Sequence, residues 1–280
     1  MKKNRYPIKA EEEYAEQLQD IAKPYELAVT KVSVDVITKD DYDKEVEKLE
    51  EAFKSVKVVK NTDEVVVQTM NNVNVFATND LSDNIAEIAL NNLSKNELEA
   101  LGLSTKTGRP LSKAVELAPK QPIIKQSRMS SPTFKRLFKD NTKLIKDIPK
   151  KMQNEVRQIL YEKYKGNLTK EQAERMIRNK TKELGENRAK VIARDQVGKM
   201  NSIIRQEIST EAGIDSYIWR TQGDDRVRDS HEDFEGQTFT YKEGSPEGHP
   251  GEPIMCRCYD EPLEQQVIEL CKQSLEEEEE

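Results

Sequence analysis

Over the first two hundred positions, apolar residues recur every three or four, the period of helices that bury one face. Residues 8–34 place Tyr14, Leu18, Ile21 and Tyr25 at that spacing, with an interruption expected at Pro24. Residues 40–60 repeat it through Val46, Leu49, Phe53 and Val56. The segment 64–76, EVVVQTMNNVNVF, leaves helix and strand open, because a short β-branched run suits either. Asp80 reads as the N-cap of a helix through Ile85, Ile88, Ala89 and Leu93, and Ser94 with Glu97 as a capping box opening a shorter one. From Leu103 to Pro132 prolines and serines replace the periodicity, which marks a linker or hinge.

Periodicity resumes with Ser131 as expected cap and Pro132 in the first turn. Phe134, Leu137, Phe138, Leu144, Ile145 and Ile148 form a stripe, with a break or kink expected at Pro149. Met152, Val156, Ile159, Leu160 and Tyr164 continue it to Gly166. Thr169 with Gln172 opens a helix through Ala173, Met176 and Ile177, which Gly185 is expected to close. A last long helix from about Asn187 to Ala212 carries Ala189, Ala193, Val197, Met200, Ile204 and Ile208, and Gly213 sits at its C-cap. Arg188, Lys190, Arg194, Lys199 and Arg205 are expected on its exposed side.

After Gly213 the period changes. Tyr217, Ile218, Trp219, Arg220 and Thr221 alternate as a strand with the aromatics on one face. Thr238 to Tyr241 is a second short strand after a turn at Glu235 and Gly236. The rest to Cys258 reads as loop, and residues 263–275 as a closing helix. Six of the eleven glycines lie between Gly213 and Gly251, and four of the eleven prolines between Pro246 and Pro262. The expected fold is mainly α with a small α+β C-terminal module: elongated helices, then short strands and a Gly/Pro-rich loop ending in Cys-x-Cys. Four regions follow: a helical part over 1–105, a linker over 106–131, a C-terminal domain over 132–263, and an acidic tail over 264–280.

Composition narrows the class. Apolar and charged residues each make up 35% of the chain, which favours extended helices with modest cores over a compact enzyme. No apolar run approaches the roughly 20 residues of a membrane span, and the N-terminus lacks the apolar segment of a signal peptide. Three cysteines, two of them one residue apart, do not make a disulfide framework and point to a reducing interior. The net charge of −7 hides an asymmetry: residues 106–205 carry 26 Lys+Arg against 10 Asp+Glu. Such a block suits a phosphate backbone, with Arg188, Lys190, Arg194 and Lys199 as candidate contacts to double-stranded DNA. It equally suits a solvated lysine-rich face, or one paired with the chain's own acidic flanks.

Candidate chemistry gathers between Tyr217 and Pro262, where both histidines, the one tryptophan and two cysteines fall. His231, His249, Cys256 and Cys258 have the donor types of a structural zinc site, which could order a module with little core. The alternative is metal-free, with the cysteines as small buried hydrophobes and His231 as a hydrogen-bonding residue. Asp224, Asp225 and His231 could instead serve a metal-dependent nucleic-acid-processing enzyme, yet no phosphate loop, HExxH or nucleophile elbow accompanies them. Arg257, between the cysteines, is placed to reach back to one of those carboxylates.

The order YIWRT, DDRVRDSH, EG, HPG, CRC, P resembles the C-terminal signature of the Mu F-like phage head morphogenesis proteins, the minor head proteins of tailed bacteriophages. The residues that carry the resemblance are Ala193-Arg194-Asp195, Gly213, Tyr217 and Trp219, Asp225-Arg226-Val227-Arg228 with His231, and Cys256-Arg257-Cys258, over roughly residues 130–262. Asp195 departs from the Thr-Glu pair frequent in the family. The resemblance implies a non-enzymatic virion component; apart from the candidate structural zinc read from the residues themselves, no cofactor is expected. It would be assembled in the host bacterial cytoplasm, bound to the portal, with scaffold or major capsid protein as further candidate partners. It would then be carried inside the head, with DNA contact in some members and no membrane association.

Overall fold

The computed structural model describes residues 5–58, 60–101 and 132–276. The expected linker at 106–131, the Ser131 cap and the last four glutamates lie outside the described residues. Helices α1 (Ile8–Val29), α2 (Lys39–Lys54), α3 (Thr62–Asn92), α4 (Lys95–Ala100), α5 (Pro132–Tyr164), α6 (Lys170–Lys182) and α7 (Arg188–Glu211) come first. Strand β1 (Ser216–Arg220), helix α8 (Asp229–Phe234), strands β2 (Thr238–Thr240) and β3 (Tyr259–Pro262), and helix α9 (Glu264–Glu276) follow. Mainly α with a small C-terminal sheet is therefore the architecture observed. Two compact units form. One comprises the described parts of Met1–Ala10, Met70–Phe134 and Asp195–Glu280, and the other Glu11–Thr69 and Lys135–Arg194.

In the second unit Val29, Val34, Val36, Leu49, Met152, Val156, Ile159, Leu160, Ala173 and Ile177 form one buried cluster. Thr38 caps α2 through a reciprocal box with Asp41, and Thr169 caps α6 in the same way with Gln172. Neither proline ends its helix: α1 runs through Pro24 and α5 through Pro149 without a break in helical structure. A mid-helix proline costs about 3 kcal/mol. Buried side chains on both sides offset it, Ile21, Ala22, Ala28 and Val29 in α1 and Ile145, Ile148 and Met152 in α5.

Gly185 does not end its helix either. A π-helical segment, Glu183–Asn187, carries α6 directly into α7 and accommodates one extra residue. The Glu26 carboxylate lies over Gly185, where a Cβ would collide with it. Burial, and then the neighbouring Glu186, raise the Glu26 pKa, while Lys23 and Lys182 oppose the shift. An acid with a raised folded-state pKa lends stability below its unfolded pKa and loses it as pH rises through the folded value. Glu26→Gln should therefore raise the melting temperature near neutral pH, with the gain vanishing below the ordinary glutamate value of 4.5. An unchanged difference across that window would contradict this assignment.

The ambiguous stretch 64–76 proves to be part of α3. Met70, Val73, Ala77, Leu81, Ile85 and Ala89 are buried along it at helical spacing. Thr69, Asn74, Thr78, Ser82 and Asn84 are buried on the same helix, which blurs the apolar stripe. Thr69 and Ser82 donate to the carbonyls four residues earlier, so their hydroxyls need no other acceptor. Asp80 is consequently not an N-cap but a buried residue inside α3. Gly213, at φ 85°, ends α7 as expected, with the Ile214 amide donating to the Ser209 carbonyl. The three strands pair antiparallel in the order β2-β1-β3, with Tyr217 opposite Phe239 and Trp219 opposite Asp260.

Candidate functional site

The first unit brings His231, Cys256 and Cys258 together. Their ligand atoms all lie within 4.8 Å of one another, and all three residues are buried. His231 Nδ1 is 3.5 Å from each sulfur. No other group of three or more His, Cys, Asp or Glu meets that closeness among the described residues. Each donor is held by its local fold. His231 stands on α8, a short helix that its sequence pattern did not announce, and packs edge-on against Trp219 at 5.2 Å between ring centres. Trp219 is in turn buried on β1 against Phe234. On the far side of the imidazole, Nε2–H donates to Glu247 at 3.2 Å, which leaves Nδ1 facing the sulfurs.

Cys256 follows Met255, the single non-glycine residue with positive φ among the described residues, at 58°. That left-handed step turns the chain so that both thiols of the Cys-x-Cys segment point inward. Backbone amides of Gly251 and Cys258 donate to the Cys256 sulfur at 3.4 Å each. Hydrogen bonding from Cys258 lowers the Cys256 pKa to about 5 against the opposing effect of burial, and His231 adds to the shift. The same bond and burial push Cys258 up. The hydrogen bond to Cys256 is also the largest cause of a raised His231 pKa, again against burial.

His249 is not in this group; its Nδ1 lies 3.1 Å from the Tyr217 hydroxyl, and its ring packs on Tyr217 and Tyr241. Arg257 reaches back as expected, bonding Asp224 at 2.6 Å with its guanidinium over the Tyr6 ring. Asp225, Arg226 and Arg228 are exposed, and Arg228 donates to the Ile254 carbonyl. Asp224 and Asp225 are not drawn into the group with His231. Lys190 is exposed, whereas Arg188, Arg194 and Lys199 are half-buried, and Lys199 bonds Asp195 at 2.8 Å.

Arg205 overturns the expectation that it lies exposed. It is fully buried, with Nε bonding Asp260 and NH1 bonding Asp80, both at 2.7 Å. NH2 donates to the Asp260 carbonyl at 2.6 Å. Tyr241 donates its hydroxyl to the other Asp260 oxygen, and Arg5 pairs with Asp80 at 3.4 Å. Burial alone would lower the Arg205 pKa, but Asp260 and Asp80 outweigh it, and the net shift is upward. Helical spacing put Arg205 one residue after Ile204, and nothing local distinguishes a buried arginine from a solvated one.

Gly198 was also passed over. A Cβ there would lie 2.7 Å from the Cys256 carbonyl oxygen, and one on Gly251 would lie 2.8 Å from the Gly198 carbonyl. Helix α7 thus approaches the cysteine loop through two glycines. The signal was present: a glycine inside a helix costs about 1 kcal/mol relative to alanine and usually has a packing reason.

The chain is thus mainly helical with a small three-stranded module that holds a buried His-Cys-Cys group. Residues 150–260 match the family described as Phage Mu protein F like protein. A protein of Haemophilus influenzae, described only as uncharacterized, is 37% identical over 142 residues. That match covers 48% of this chain but 30% of the relative's own length. No solved structure matches.

Proposed function

We propose that the chain is a minor head protein of a tailed phage, an assembly component that associates with the portal and is carried inside the head. The observation that supports this most is the family match over residues 150–260, which contains Trp219, the Asp224 to Arg228 run, His231 and both cysteines. A structural role accords with the site, where the carboxylates of the enzyme alternative are otherwise engaged or exposed: Asp224 is bonded by Arg257 and Asp225 faces solvent. Among the described residues no helix is long and apolar enough to cross a membrane. Assembly in the host cytoplasm beside scaffold or major capsid protein belongs to the same reading. The test is to delete the gene from the phage that encodes it and analyse purified particles by mass spectrometry. Wild-type heads should contain the protein and the mutant should yield fewer complete heads. Its absence from wild-type particles would overturn the reading.

DNA contact is part of the proposal, and the charge pattern supports it. Lys139, Lys143, Lys146 and Lys150 are exposed along α5 at spacings of four, three and four. They form a stripe on one helix face, about 16 Å long at ~1.5 Å per residue. Elsewhere in that unit part of the basic charge is neutralised, with Arg157 on Glu50 and Lys170 on Asp35. The stripe is therefore a better candidate than the half-buried Arg188, Arg194 and Lys199. Binding should be sequence-independent and fall steeply with salt, through counterion release. Charge reversal of the four lysines should flatten the log–log salt slope by about 0.9 per lost contact. An unchanged slope would remove this face as the contact, and no binding at low salt would remove DNA.

A further inference from the structure

We propose that His231 Nδ1, Cys256 Sγ and Cys258 Sγ hold one zinc ion, with solvent as the fourth ligand. The inference does not depend on the head-assembly reading. Its first support is metric. Zinc bonds of about 2.3 Å to sulfur and 2.0–2.1 Å to nitrogen, at a tetrahedral angle, place a ligating nitrogen about 3.5–3.6 Å from each ligating sulfur. Both His231–sulfur distances are 3.5 Å. An S–H···N hydrogen bond spans a similar distance, but Nδ1 has a single lone pair and accepts only one of the two thiols held at 3.5 Å, whereas one ion accounts for both.

The surrounding groups give a second support. A metal-bound imidazole characteristically donates its other ring N–H to a carboxylate, which fixes the tautomer and the ring plane. Glu247 occupies that position on His231 Nε2. Thiolates carrying negative charge need amide donors, and Cys256 has two, from Gly251 and Cys258. Two thiolates and one imidazole form a soft donor set that suits zinc and disfavours magnesium or calcium.

Energetics supply the third. The chain from Thr221 to Cys258 holds only the six-residue helix α8 and the three-residue strand β2. It nonetheless buries His231 with 2% exposure beside two cysteines with 6% and 5%. A metal bond that exists only in the folded state supplies folding free energy to such a segment.

The experiment uses the full chain, purified under reducing conditions and reconstituted with zinc or with cobalt(II). Wild-type protein should carry about one zinc per chain, and its cobalt form should show sulfur-to-cobalt charge-transfer absorption. Cys256→Ser, Cys258→Ser and His231→Ala should each lower zinc affinity at least tenfold in competition with a chelating dye. Because these buried positions can also compromise folding, Glu247→Gln provides an independent arm. It alters a half-exposed positioning residue, and should weaken zinc about tenfold with the cobalt spectrum shifted but present. His249→Ala should keep about one zinc. No zinc in reconstituted wild type overturns the proposal, as do bound metal without the charge-transfer band and affinity unchanged in the cysteine variants. So does a Glu247→Gln affinity equal to wild type.

Discussion

Replacing Arg205 by methionine is expected to destabilise the chain by about 3–5 kcal/mol, the usual consequence of removing one partner from a buried ion pair. The guanidinium is fully buried and donates to both Asp80 and Asp260. Without it two carboxylates, 6% and 4% exposed at the side chain, are left near each other with Arg5 and Tyr241 as side-chain donors among the described residues. Arg205→Lys should recover little, because an ammonium cannot reproduce the planar fork that serves two acceptors in different directions. The triple change Asp80→Asn, Arg205→Met, Asp260→Asn should be more stable than Arg205→Met alone, since it removes the uncompensated charge. Urea unfolding monitored by circular dichroism reads all three. A loss below about 1 kcal/mol for Arg205→Met would mean that the network contributes little.

The second large effect is at Gly198. Alanine there gains up to about 1 kcal/mol of helix propensity. Against this stands a Cβ 2.7 Å from the Cys256 carbonyl oxygen, a backbone atom that cannot swing aside as a side chain does. Overpacking of this kind costs about 1–3 kcal/mol, so Gly198→Ala should be destabilising on balance, and Gly198→Val more so. The displacement falls on the residue whose sulfur faces His231, so the same variant should also weaken the zinc binding proposed for that group. Lys190→Ala, exposed on the same helix, serves as control and should stay within about 0.5 kcal/mol. A Gly198→Ala protein as stable as wild type would show that the loop at Gly251 and Cys256 moves away freely.

Much of the helical architecture was legible in the sequence, because each signal is local. The boxes at Ser94 and Thr169 and the left-handed glycines Gly166 and Gly213 occur where the spacing put them. So do the stripe from Phe134 to Tyr164 and the strand through Tyr217 and Trp219. Turns, caps and amphipathic faces are decided within a few residues, and the chain carries that information itself. Concentration of His231, Cys256 and Cys258 in one stretch also marked the module before its geometry was known.

Other features depend on neighbours distant in sequence. Pro24 and Pro149 did not break their helices, because burial on both sides outweighs one missing hydrogen bond. Asp80 read as a cap and Arg205 as a solvated charge, since both are polar residues beside apolar ones. Their partners lie 125 residues apart, and only the fold brings an aspartate and an arginine so separated into one buried pair. His249 has the same donor chemistry as His231, but it packs on Tyr217 while His231 turns Nδ1 to two sulfurs. Composition and spacing determined which residues this protein has available for a site. Tertiary packing decided which of them share it, because donor separation, burial and ring orientation are properties of three-dimensional contact and not of the order of residues along the chain.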